Sequence, residues 1–187
     1  PLPLSAMSVA HGLFGMTLSR VGRDREALVQ FDSSLAFFDK CKTNEVQKQT
    51  ITKAEADILL AKSKSLQRLM KYRDAITVLN NLSSRCKATN AQSKEGNALR
   101  ICLTESVERA ALCSMRMGDV DLAIRLLEDF FEPASSGDYE AGVEGMLGAC
   151  LLLEELITGS NKDRHEKAQQ LLQNASQSSA SPIYNWI

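Results

Sequence analysis

Met117-Gly118-Asp119-Val120-Asp121-Leu122-Ala123-Ile124 reads as the end of one helix, a tight turn and the start of the next. Gly118 can enter the left-handed conformation that closes helix C-termini, because it has no Cβ to clash. Asp119 stands where a side-chain oxygen caps a following helix. Val120, Ala123, Leu127 and Phe130/Phe131 then recur at helical spacing. The same arrangement occurs twice upstream, as Val21-Gly22-Arg23-Asp24-Arg25-Glu26-Ala27-Leu28 and as Met70-Lys71-Tyr72-Arg73-Asp74-Ala75-Ile76. Anchored on the alanine, the intervals are equal: 75 − 27 = 48 and 123 − 75 = 48. A looser fourth copy, Asp163-Arg164-His165-Glu166-Lys167-Ala168, follows at 168 − 123 = 45. Recurrence at a fixed period of this size marks a repeat architecture.

Working outward from the turns, each is flanked by two amphipathic patterns. Leu99, Leu103, Val107, Ala110/Ala111 and Met115 form a stripe before the third turn, and Val143, Met146/Leu147, Cys150, Leu153 and Ile157 one before the fourth. Tyr72, Ala75/Ile76, Leu79, Leu82 and Cys86 form one after the second. Gly22 and Gly118 are expected as left-handed caps, and Asp24, Asp119 and Asp163 as N-caps, the last with Glu166 three residues on. The expected fold is all-α, with helices over about 5–19 with 24–41, 45–70 with 72–89, 94–117 with 119–132 and 139–158 with 163–177, ends uncertain by about two to four residues. Polar linkers separate the pairs, Pro133 with Ser135-Ser136-Gly137 being the clearest break. Residues 1–178 form one repeat domain on this reading, and 179–187 a polar tail holding Tyr184 and Trp186.

Composition agrees. Apolar residues make up 44% of the chain but aromatic ones only 5%, so the core must be Leu, Ala, Ile, Val and Met, which favours helix over strand. A formal net charge of −1 leaves no global field steering the chain toward nucleic acid. The longest apolar run, Met146 to Leu153, meets Glu154 and Glu155 long before it could span a membrane. Cys41, Cys86, Cys102, Cys113 and Cys150 are odd in number and contain no CxxC, which suits unpaired thiols in a reducing, intracellular compartment, whether cytoplasm or an organelle reached by a removed targeting segment.

The turn segments resemble the tetratricopeptide repeat, in its long-repeat form. That family places a small residue in the first helix, Gly at the turn, Ala in the second helix and a bulky residue four positions on. Gly15, Gly22, Ala27, Phe31 and Ser34-Leu35 match this well, and Ala111, Gly118, Ala123 and Leu127 match in part. The second copy keeps Leu66, Tyr72, Ala75 and Leu79 but has Met70 where Gly is expected, and the fourth keeps only Ala168, Leu172 and Ala175. The usual closing Pro is missing, and the period exceeds the ordinary thirty-four residues by about fourteen. The resemblance spans about residues 8–177. It implies four antiparallel helix pairs stacked in a right-handed superhelix, and a protein-binding scaffold or assembly factor that holds a partner peptide or helix in its concave groove.

Nothing in the chain points to catalysis, a cofactor or a metal. His11 and His165 are far apart without companion ligands, and no nucleophile or phosphate-binding motif occurs. Arg20, Arg68 and Arg116 recur at the 48-residue interval, near the end of each first helix. Stacked, they would form a ladder able to grip an acidic segment. The structural alternative is a helix-end cation favoured by the dipole, worth about 0.3–1 kcal/mol. Lys64, Leu112 and Met115 fall on the same expected groove. The expected partner is therefore another protein offering an acidic or amphipathic segment, with no nucleic acid and no membrane span. A second reading makes the chain a structural subunit of a larger complex, binding through its stack ends and the Tyr184–Trp186 tail. The first helix, with Leu13, Phe14, Met16 and Leu18, is too apolar for a solvent-facing end cap, so a partner or another helix is expected to cover it.

Overall fold

A computed structural model describes residues 3–43, 47, 50–90, 96–131, 141–158 and 162–177. Among these the regular structure is all helix: α1 (Leu4–Arg20), α2 (Asp24–Cys41), α3 (Lys53–Arg68), α4 (Tyr72–Asn90), α5 (Gly96–Arg116), α6 (Val120–Phe131), α7 (Ala141–Thr158) and α8 (Lys162–Gln177). No described helix is long and apolar enough to cross a membrane. The chain divides into two compact units, Pro1–Ser106 and Val107–Ile187, the boundary falling inside α5. Helices pack mainly on their neighbours in the chain, which is a helical-repeat arrangement.

The turns carry the repeat at atomic level. Gly22, Met70 and Gly118 all have left-handed backbones, with φ of 80°, 57° and 78°. Each sits in the same pair of hydrogen bonds. The residue itself donates to the third-last carbonyl before it (Gly22 to Ser19, Met70 to Gln67, Gly118 to Met115), and the next residue reaches back five, from Arg23 to Leu18, Lys71 to Leu66 and Asp119 to Ser114. This is the Schellman closure, which satisfies carbonyls a helix end would otherwise leave bare. The residues that follow are equally periodic: Ala27, Ala75 and Ala123 are fully buried, as are Phe31, Leu79 and Leu127.

In the first unit, pairs run antiparallel. Ser34 Oγ donates to the Ser8 carbonyl at 2.6 Å, while Gly15 lies against Phe31 and the Ala27 carbonyl. A Cβ on Gly15 would stand 2.7 Å from the Phe31 ring, so only glycine lets α1 and α2 approach this closely. The second pair then stacks on the first. Ile58 of α3 enters the core of Leu18, Ala27 and Phe31, its Cδ1 lying where a Cβ on Gly12 would be. In the second unit, α7 and α8 cross closely at Gly148, whose missing Cβ leaves room for Leu172 and the Ala168 carbonyl. Val143, Leu147, Cys150, Leu151 and Ala168 are buried there, and Val107, Ala110, Ala111, Val120 and Phe130 are buried in the α5 and α6 portion.

Three local expectations need correction. The helix expected over 45–70 begins at Lys53, because Thr52 breaks it: its Oγ1 accepts the Glu55 N–H at 3.2 Å, and residues 50–52 are not helical. Ile51 is buried there and gives its N–H to Thr89 Oγ1. The same helix stops at Arg68, so Met70 is its left-handed closure and not its last turn. Asp24 is not an N-cap; Arg23 holds that position without a side-chain cap, and the Asp24 carboxylate is turned toward α3. Asp119 does cap, accepting the Leu122 N–H at 3.0 Å. The Asp163 side chain lies outside the described residues.

Candidate partner-binding surfaces

The arginine positions differ in what surrounds them. Arg68 reaches across the stack to Asp24, its Nε donating at 2.9 Å to Oδ2 and its Nη2 at 2.6 Å to Oδ1. Nη2 also donates to the Ser19 carbonyl at 3.0 Å and to its hydroxyl. The Ser19 and Ser65 hydroxyls meet at 2.8 Å beside them. The Asp24 side chain is only 8% exposed. The Arg68 hydrogen bonds hold its carboxyl below the usual carboxylate range, against the opposing effect of burial. Arg68 is thus a buckle between the first and second helix pairs. Lys64, one turn earlier, pairs with Glu105 at 3.1 Å. Arg20, by contrast, is exposed and makes no ion pair among the described residues.

Arg20, Lys64 and Arg68 share an open depression of ≈ 310 Å³ with Met16, Leu60 and Glu105. Three of the expected groove residues are therefore together, on a surface of mixed charge with an apolar floor. Leu112 and Met115 are half-buried and Arg116 is exposed in the second unit, where Met115 Sδ lies 3.4 Å from Cys150 Sγ. Tyr184 and Trp186 lie outside the described residues.

The outward face of α1 carries several exposed apolar side chains. Leu13 is 60% and Phe14 54% exposed, with Val9 and Val21 beside them. Leu18, one turn after Phe14, is buried in the core, and Met16 packs partly against it.

One cluster escaped sequence reasoning. The Glu55 side chain is 1% exposed and is held between Lys42 at 2.9 Å and Arg85 at 2.5 Å. Arg85 also donates to the Thr50 carbonyl at 2.9 Å. A glutamate in a first helical turn ordinarily complements the dipole at the surface; this one lies buried beside the buried Ile51 and the Thr52 helix start. The Thr52-x-x-Glu55 capping signature was the available signal.

The histidines are engaged locally. His11 Nδ1 lies 2.8 Å from Gln30 Oε1, its ring stacked on Phe37, and His165 Nδ1 lies 2.7 Å from Glu155 Oε2. Among the described residues no group of three or more His, Cys, Asp or Glu is placed to hold a metal ion. All five cysteines are free, with Cys41 exposed and the others buried. A scan against family models gives no match, and comparisons with curated proteins and with solved structures give none either.

Proposed function

We propose that this chain is a protein-binding helical-repeat scaffold of the tetratricopeptide type, that it catalyses no reaction, and that it docks its partner chiefly on the outward face of α1. The observation that carries this reading is the exposure of Leu13 and Phe14 side by side on α1, next to Arg20. Contiguous exposed apolar side chains with a polar rim mark interaction surfaces. Five free thiols suit a reducing compartment.

A second reading, an acidic or amphipathic segment held in the depression, is favoured by the convergence of Arg20, Lys64 and Arg68 there. Against it stand the internal partners of Arg68 and Lys64, Asp24 and Glu105, with which an incoming carboxylate would compete. Arg68→Glu would set a second carboxylate beside the buried Asp24 and should destabilise the fold, so it is a poor probe of binding.

Crosslinking mass spectrometry names the native partner, and two variants then decide between surfaces. The end-face reading expects Leu13→Asp to weaken affinity by about tenfold or more, with Lys64→Glu nearly neutral. The reverse result moves the site to the depression. If both variants bind like the parent, neither surface is the site.

A further inference from the structure

The 48-residue equivalence makes it possible to ask what each residue of α1 does one repeat later. On α3, the residues facing the preceding pair include Ile58, Ala61, Lys62, Ser65 and Arg68, besides Glu55, which pairs with Lys42 and whose equivalent Met7 is half-buried. Ile58 and Ala61 pack on the Leu18–Phe31 core, Lys62 pairs with Asp32 at 2.6 Å, Ser65 meets Ser19, and Arg68 binds Asp24. Subtracting one period gives Ala10, Leu13, Phe14, Thr17 and Arg20. All five are exposed. The surface that α3 uses to stack on α1 and α2 is therefore presented a second time by α1, with nothing described against it.

We propose that the outward face of α1 is a stacking interface, which takes a helical hairpin carrying a carboxylate at the start of its second helix, opposite Arg20. This rests on the end-face reading above and specifies its chemistry. Arg20 occupies the buckle position, and the occupant supplies what Asp24 supplies to Arg68. Thr17 stands where Ser65 meets a hydroxyl, so a small polar residue suits the occupant there. Phe14 stands where Lys62 makes its ion pair, so the occupant's residue opposite is apolar and not acidic. Leu13 and Ala10 need a close approach of the kind that Gly12 and Ser34 allow to Ile58. Continuity with an interface already built in this molecule selects a hairpin over an extended peptide.

The probe is the chain's own first repeat. Residues 1–48 are duplicated ahead of Pro1 of the full chain, which keeps the 48-residue register, with Asp32→Leu in the added copy to face Phe14. Thr17→Cys in the inner copy, with Cys41→Ser in both, reports burial by maleimide labelling. The expected result is labelling about tenfold slower than for the same cysteine in the unextended chain. Arg20→Met in the inner copy should return much of that rate. A second readout, the urea midpoint of the extended chain without the cysteine changes, should rise in one transition. Equal labelling rates, protection that Arg20→Met leaves untouched, or added helices that melt separately at low urea each overturn the proposal. Failure here with Leu13→Asp still weakening the natural partner removes the hairpin but leaves the end-face reading. If Leu13→Asp is also neutral, both fall.

Discussion

Among the described residues Met70 is the one left-handed closure that is not glycine, and replacing it with glycine should stabilise the protein. Its φ of 57° is a conformation L side chains resist, and its side chain is 77% exposed, so it contributes little packing to lose. The left-handed conformation costs roughly 1–2 kcal/mol for an L residue. Glycine gives back roughly 0.5–1 kcal/mol through the larger chain entropy it surrenders on folding. The net expectation for Met70→Gly is a gain of about 0.5–1 kcal/mol, which for a chain of this size raises the melting temperature by roughly 1–4 °C. The reciprocal variant is the control. A Cβ at Gly118 would meet nothing within 4 Å, so Gly118→Met introduces only backbone strain and should lose a comparable amount. Urea unfolding of both variants measures the pair. A Met70→Gly midpoint at or below the parent, or a neutral Gly118→Met, would refute the claim that an L side chain strains this left-handed closure.

Ala75→Leu should overpack the second helix crossing and lose about 1–3 kcal/mol in urea unfolding, since Ala75 is fully buried; an unchanged midpoint contradicts the crossing. In the native protein only Cys41 should alkylate quickly at mild alkaline pH. Burial pushes Cys86 up to about 12 and Cys150 up to about 11, and mass spectrometry should find no intramolecular disulfide. The Asp24–Arg68 buckle should be acid-sensitive. Asp24 is lowered from 3.8, chiefly by the Arg68 hydrogen bonds, so its contribution is present above that value and is lost as pH falls through and below it. Unfolding titrations of the parent and Asp24→Asn should differ at neutral pH and converge in acid; a constant difference would contradict this.

The periodicity of turns, alanines and bulky residues was legible because it depends on local chemistry. Gly22 and Gly118 announce a left-handed residue, and Ala27, Ala75 and Ala123 announce close crossings. Met70 was not legible as a cap, because its side chain disfavours the very conformation that the Schellman bonds to Gln67 and Leu66 hold. Asp24 misled for a different reason. Its residue type and position fit an N-cap, but a guanidinium 44 residues away offers stronger, charge-assisted bonds than a backbone N–H. The fourth copy hid its small residue at Gly148, twenty positions before Ala168, whereas Gly15 lies twelve before Ala27. At the candidate surfaces, the sequence grouped Leu13, Phe14, Met16 and Leu18 as one apolar set, whereas the structure exposes Leu13 and Phe14, half-buries Met16 and buries Leu18 in the core. The arginine ladder could not be resolved from spacing, because equal intervals fix equivalent backbone positions and say nothing of which partner carboxylate each repeat supplies.

The enclosed Glu55 with its Lys42 and Arg85 partners has a consequence for how the first unit responds to heat. Charged groups lose hydration free energy as temperature rises, so the penalty for keeping this trio out of water shrinks on warming. An apolar replacement of all three, Lys42→Met with Glu55→Leu and Arg85→Met, should match or exceed the parent near room temperature, as buried ion clusters commonly allow. Its advantage should dwindle toward the melting range. The cluster would then act as a thermal ballast, a liability in the cold that grows less costly as the rest of the fold weakens.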